Sequence, residues 1–506
     1  MSTSKMKFIT SLSLILGILA FQPAYALVSL AKVIADHMVI QRGEPVNLWG
    51  HAAPKEDISV FFKGATYRAQ ADKQGNWLVT LPAQAASTGH TIKVVGVNTI
   101  TLSDIAFGDV FLAGGQSNMA YTLEQVISRF PDEKHQKSYP DIRHFKVQRN
   151  YNFNGEQRDI KHGKWLQASA STIGQFSAVS WFFAKELAQY RDVPIGIISS
   201  NVGASPVESW MSLSALSLFP NAQTLAQQLQ NSEFKEQLLA QYKAKRQAWR
   251  KANPNKKLPY SINRATQLDF KPTGFYNAMI APLQPMRFKG VIWYQGESNT
   301  NKPNDYAKRF STLIASWRQL FEQPNLPFMF VQLANFRLPD EQPKDSNWAI
   351  LRDQQTQVFK TIPHTAMALA IDVGERHDIH PKDKETVGKR LALGARYLAY
   401  GEKDVSFVSP MLLSAEVNNN QVLIHLEHIG KGLKVQGNEL KGFAIAGQDK
   451  QFRWAKASLT TSGVKVWHND ISQPKFVRYA WADNPEQANL FSADGLPATP
   501  FEVALP

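Results

Sequence analysis

The chain has 506 residues, 43% of them hydrophobic and 11% aromatic, with a formal net charge of +14 and no cysteine. That composition supports a sizeable globular core and excludes a disordered chain, and the length suits about three domains. The absence of cysteine excludes disulfides, and with them a lipid attached to a cysteine behind a signal peptide.

The chain begins with an export address. Lys5 and Lys7 precede an apolar run over 8–21, and Ala24-Tyr25-Ala26 has the small-x-small form of a cleavage site. Residues 1–26 therefore read as a signal peptide, giving a bacterial periplasmic or secreted product that starts at Leu27. The apolar run is too short to span a bilayer, and no later stretch is long enough.

Residues 27–102 read as a small β-sandwich. Short runs at 46–49, 58–62, 66–69, 77–80 and 91–95 are separated by turn signals such as Gly43-Glu-Pro45 and Lys73-Gln-Gly75. Such a module either binds carbohydrate or braces its neighbour.

Over 103–400 the pattern changes. Apolar runs at 110–113, 193–199, 290–294, 327–333 and 366–372 alternate with helical stretches at 177–190, 305–321, 348–360 and 385–400. Continuous apolar strands separated by helices imply a parallel sheet covered on both faces. The expected fold is α/β, a doubly wound five-stranded parallel sheet flanked by all-β N-terminal and C-terminal parts. A basic helical insertion occupies about 214–263. Between 221 and 260 it carries eight lysines and arginines against Glu233 and Glu236. An acidic glycan would suit that charge, but a solvated helix face is the simpler reading, and the export address points away from nucleic acid. After 401 strands return, at 405–408, 412–417, 421–425, 443–446, 464–467 and 477–481.

The strand ends carry the chemistry. The first run leads into Gly115-Gln-Ser-Asn118, the second into Asn201-Val-Gly-Ala-Ser205, the third into Gln295-Gly-Glu-Ser-Asn299, and the fifth into Gly374-Glu-Arg-His-Asp-Ile-His-Pro381. In an open parallel sheet ligands bind outside the carboxyl ends of the strands, so these distant segments meet at one crevice. Ser117, on a tight strand-to-helix turn, is the candidate nucleophile. It needs an imidazole, and the imidazole needs a carboxylate. His380 and Asp378 supply both. Pro381 favours an extended conformation at His380, so residues two apart face the same side and Ile379 turns to the core. His377 is the rival base, and His377 with His380 is the alternative reading as a metal pair, without a third ligand. Gly203 and Asn299 join the Ser117 N–H as candidate oxyanion donors. Gln295 and Glu297 are candidates either to bind sugar hydroxyls or to hold the loop backbone. Glu208 and Trp210 are further candidates to line the crevice.

The order Ser117, Gly203, Asn299, His380 resembles that of the SGNH (GDSL-type) hydrolase superfamily. Several longer blocks resemble sialate O-acetylesterases: Phe111-Leu-Ala-Gly-Gly-Gln-Ser-Asn-Met119, Pro206-Val-Glu-Ser-Trp-Met211, Gly274-Phe-Tyr-Asn-Ala-Met-Ile-Ala-Pro282, Trp293-Tyr-Gln-Gly-Glu-Ser-Asn299, Asp378-Ile-His-Pro-Lys382 and Val477-Arg-Tyr-Ala-Trp-Ala-Asp483. The resemblance implies an SGNH-type sheet and a serine esterase that needs no metal or cofactor. Ser117 would attack an acetyl ester on a sugar, His380 would shuttle the proton and Asp378 would orient it. The superfamily usually places its acid three residues before the histidine, where this chain has His377. Asp378 at shorter spacing, Asp372, or a Ser-His pair alone are the alternatives. Sialic acid is the expected acetyl bearer. An acetylated plant polysaccharide (xylan or xyloglucan) is the runner-up, and a non-catalytic glycan-binding protein is the reading from a different class.

Overall fold

A computed structural model describes residues 27–135 and 138–505. The expected signal peptide, 1–26, lies outside the described residues.

One strand organises the molecule. β1 (Thr99–Gly115) has two halves that belong to different sheets. Its first half pairs antiparallel with Ser87–Val95 and parallel with Val39–Gln41. Its second half, from Asp109, lies in the central parallel sheet. The change expected at 102/103 thus falls inside a continuous strand, and the N-terminal β part is joined to the centre by backbone hydrogen bonds as well as by chain.

The central sheet also contains β2 (Tyr139–Lys146), β3 (Trp165–Ala168), β4 (Ile195–Asn201), β5 (Gly290–Tyr294), β6 (Phe328–Gln332) and β7 (Thr365–Leu369), in the spatial order β3-β2-β4-β1-β5-β6-β7. All neighbours are parallel except β3, which runs antiparallel to β2. The expected five strands are therefore present, but the parallel set numbers six and the sheet is mixed. β2 escapes a reading by apolar runs because its sequence is YPDIRHFK. Arg143 and His144 in it are nonetheless buried. Arg143 donates to the Asp104 carboxylate at 3.0 Å and to the Asp104 carbonyl at 2.5 Å, so its charge is matched internally.

β4 to β7 are buried along their whole length, which is why they read as unbroken apolar runs. α1 (Ser117–Ala120) follows β1 directly. Helices α2 (Ala178–Ala188), α3 (Ser232–Ala252), α4 (Tyr260–Ala265), α5 (Tyr306–Leu320), α6 (Asn347–Thr361) and α7 (Lys384–Leu398) also belong to this part, with shorter helices at Leu123–Val126 and Pro220–Gln228. On one face Phe111 packs edge-on against Phe183 of α2, ring centroids 4.9 Å apart. On the other, a Cβ on Gly114 would lie within 3.2 Å of Trp293 and of Trp317 in α5, so only a glycine lets that layer close. The basic insertion is helical as expected, and α3 has no fully buried residue.

The N-terminal part places Ser29–Leu30, Val46–His51 and Asn76–Leu81 in one sheet, against strands Asp57–Phe62, Ala65–Gln70 and Ser87–Val95 of the other. The C-terminal part forms two four-stranded antiparallel sheets and a two-stranded one. The expected strand at 405–408 is irregular chain. Arg352 of α6 ties this part to the centre, donating to the carbonyls of Ala482 at 2.7 Å and Asp483 at 3.0 Å. Burial pushes its guanidinium down to about 9. Among the described residues, no helix is long and apolar enough to cross a membrane.

Candidate active site

The segments that follow the carboxyl ends of β1, β4, β5 and β7 meet. Gly115 ends β1 with φ +129°, and a Cβ there would lie 2.1 Å from the Tyr294 carbonyl, so β1 and β5 approach closely only at a glycine. The Gln116 N–H donates to that same carbonyl at 2.9 Å. The chain then turns into α1, lifting Ser117 into partial exposure while Asn118 and Met119 stay buried.

Ser117 Oγ lies 2.9 Å from His380 Nε2, across 263 residues of sequence. The other ring nitrogen, Nδ1, stands 3.3 Å from Asp378 Oδ1. Tyr121 stacks on the imidazole with centroids 4.4 Å apart and planes 16° from parallel. Burial pushes the His380 imidazole below its ordinary value. Asp378 opposes that shift and Lys384 adds to it. His377 is exposed. Asp372 is held by Arg390 in a bidentate pair, at 2.6 and 2.7 Å, so its carboxylate is committed away from His380.

Gly203 lies directly against the serine: a Cβ on it would come 3.4 Å from Ser117 Cβ. Its loop is fixed by Val202 N–H on the Gly115 carbonyl at 3.1 Å, and Ala204 takes φ +63°. Asn299 closes a short turn after β5, with its N–H on the Gly296 carbonyl at 2.8 Å. Its Oδ1 accepts from Val207 N–H at 3.0 Å and from Gln295 Nε2 at 2.8 Å, and its Nδ2 donates to Glu208 at 3.1 Å. The amide is thereby fixed in orientation, with one N–H used on Glu208 and a second available in the same plane. Arg264 of α4 bridges the two loops, donating to the Ala204 and Ser298 carbonyls at 3.0 Å each.

Gln295, Glu297, Glu208 and Trp210, candidates for the crevice or for support of its loops, make contacts inside the protein. Gln295 is fully buried. Its Nε2 donates to Gln116, Ser205 and Asn299, and its Oε1 accepts from Tyr306 at 2.8 Å. An amide so buried and so engaged supports the loop backbone and lies out of a sugar's reach. Glu297 turns inward, accepting from Asn118 Nδ2 at 2.5 Å, and burial raises its carboxyl. Glu208 pairs with Arg309 at 3.0 Å behind Asn299. Trp210 is buried, its indole N–H on Ser205 Oγ at 2.8 Å. Sequence reading passed over Tyr121, Asn118 and Lys384, which surround the Ser-His pair. Asn118 and Tyr121 are near enough to Ser117 to have suggested themselves. Nothing in the local pattern marks Lys384 as buried. Among the described residues, no three His, Cys, Asp or Glu side chains group as metal ligands.

Known proteins resemble this chain over most of its length. A family profile described as carbohydrate esterase, sialic acid-specific acetylesterase, matches residues 261–397. Sialate O-acetylesterase of Rattus norvegicus is 32% identical over 94% of this chain and 94% of its own. That of Homo sapiens is 29% identical over 93% and 91%. The crystal structure of a carbohydrate acetylesterase from Xanthomonas citri superposes with a TM-score of 0.81 at 35% identity, covering 94% of this chain and 99% of that one. Similarity of that identity, over nearly the full length of both chains, makes this chain a member of the sialate O-acetylesterase family, ester hydrolases acting on carbohydrates.

Proposed function

We propose that this protein hydrolyses O-acetyl esters on sialic acid through a Ser117 acyl-enzyme. The observation that carries the reading is the 2.9 Å contact between Ser117 Oγ and His380 Nε2 where the strand-end loops converge. Ser117 Oγ adds to the acetyl carbonyl while its proton passes to His380 Nε2. Asp378, beside Nδ1, holds the ring's tautomer and offsets the imidazolium charge. The Ser117 and Gly203 N–H groups and the Asn299 amide receive the oxyanion. His380 then protonates the departing sugar oxygen, and a water activated by the same imidazole releases acetate and restores the serine.

A second reading keeps the chemistry and changes the sugar. The likeness, at 35% identity, to a Xanthomonas citri protein described as a carbohydrate acetylesterase, with no sialic acid in that description, keeps other O-acetylated sugars in view, an acetylated plant polysaccharide such as xylan or xyloglucan among them. Acetate release from O-acetylated sialic acids, compared with acetylated xylan and xyloglucan oligosaccharides, decides between the two. Ser117→Ala is expected to abolish release from all of them. A doubly wound SGNH-type catalytic part over 103–400, braced by β parts at 27–102 and 401–506 and exported by residues 1–26 to the periplasm or the medium, completes the proposal. Detection of the cleaved chain, starting at Leu27, in the periplasmic or secreted fraction tests the export.

A further inference from the structure

The steps above leave unused a buried charge close to the Ser-His pair. Lys384, the first residue of α7, has no exposed surface. Its Nζ donates to Asn118 Oδ1 at 2.6 Å. Asn118 Nδ2 in turn donates to Glu297 Oε1 at 2.5 Å and to the Ile379 carbonyl at 3.0 Å. The ammonium also lies 5.7 Å from the ring centroid of Tyr121 and 5.6 Å from that of Tyr294, and Tyr121 is the ring stacked on His380. The chain of contacts thus begins one residue after Ser117 and ends one residue before His380. It joins the turn after β1, the turn after β5 and the loop into α7.

Taking an ammonium and a carboxylate out of water costs several kcal/mol, and an apolar packing of similar volume often does as well for stability. A pair kept at this position calls for a reason beyond holding the fold. We propose that Lys384, Asn118 and Glu297 are positioning residues, a buried relay that clamps the His380 loop onto the Ser117 turn and sets an amine, cationic over the acid limb, behind the imidazole. The proposal rests on the Ser-His reading above and assigns Glu297 a task in place of sugar binding.

The charges around His380 make the relay measurable. Asp378 faces it from its own loop, Lys384 from α7, Tyr121 from beyond α1, and Glu297 acts at one remove through Asn118. Asp378 raises the imidazole's proton affinity and Lys384 lowers it. Burial brings Lys384 itself down to about 7. Removing the Lys384 charge therefore makes His380 easier to protonate.

The test is the pH profile of kcat/KM for a simple aryl acetate, normalised to active-site content by titration with a fluorophosphonate. Lys384→Met should move the midpoint of the acid limb up by about half a unit or more and lower kcat at least tenfold, with KM for the small ester little changed. Lys384→Met combined with Glu297→Gln removes both charges at once. It should keep the upward shift, and its loss of kcat/KM should be smaller than the product of the two single losses. Should the single lysine variant fail to fold around an unpaired carboxylate, the double variant gives the same reading. An acid limb unmoved from wild type in either variant, at full active-site titre, overturns the proposal. Turnover retained by Ser117→Ala would instead overturn the underlying Ser-His reading, so the two failures are distinct.

Discussion

Asp378 Oδ1 stands 3.3 Å from His380 Nδ1 and also accepts the backbone N–H of His380 at 2.9 Å. One carboxylate oxygen therefore fixes the loop and faces the ring. The two-residue spacing suits this arrangement, because a short aspartate side chain reaches the N–H two residues on in an Asx-turn. Ile379 between them packs against the core.

This relationship separates the two candidate acids. Asp378→Asn should lower kcat on acetyl esters by about a hundredfold or more, since the amide no longer matches the imidazolium charge. Asp372→Asn should leave kcat within about threefold, because that carboxylate serves Arg390 and its loss falls on stability rather than on the imidazole. Steady-state kinetics on one substrate, with active-site titration, checks both. The reverse ranking would reassign the acid.

The oxyanion loops give a second prediction. Asn299→Ala should lower kcat by about 10²–10³, the usual loss for one oxyanion donor, with a smaller change in KM. The same substitution strips acceptors from Val207 N–H and Gln295, so a fall in Tm should accompany it. A loss of Tm with kcat unchanged would leave Asn299 as a loop support alone.

Acidity gives a third. His380 must be neutral to accept the Ser117 proton, and burial holds its pKa below the ordinary 6.5. Activity should therefore rise with pH along a limb centred below 6.5. Asp378→Asn removes the group that raises this pKa, so its limb should move to still lower pH. An upward movement would contradict the electrostatics.

A fourth prediction concerns stability. His144 of β2 is fully buried, stacked on Phe176 with centroids 4.7 Å apart, and burial pushes it down to about 3. The unfolded chain binds this proton first, so stability present above pH 6.5 is lost as pH falls towards 3, by about 1.4 kcal/mol per unit. His144→Phe should lose less Tm between pH 7 and pH 4.5 than the wild type does. An equal or larger loss in the variant would place the acid sensitivity elsewhere.

Strand ends were legible within two residues, the apolar runs stopping at Ala113, Ser199 and Tyr294 and the strands at Gly115, Asn201 and Tyr294, because burial on both faces leaves an unbroken apolar signature. Gly203 and Asn299 were legible as members of those tips, and the Ser117–His380 pairing followed from the rule that such tips share a crevice. β2 was not legible. Arg143 and His144 look like surface residues until Asp104 and Phe176, remote in sequence, accept them. The sequence left Gln295 open between sugar contact and loop support. Only packing decides, since the side chain is fully buried and its amide is engaged by residues from several segments.

What the sequence determined by itself was the parts list: a serine on a strand-to-helix turn, a histidine before a proline, and the alternation that builds a parallel sheet. These are local properties, written in runs of ten residues or fewer. The tertiary structure decided which carboxylate faces His380, which way Glu297 points, and that Lys384 is buried beneath the pair. Those outcomes depend on desolvation and hydrogen-bond satisfaction among groups brought together only by folding, and no local pattern encodes them.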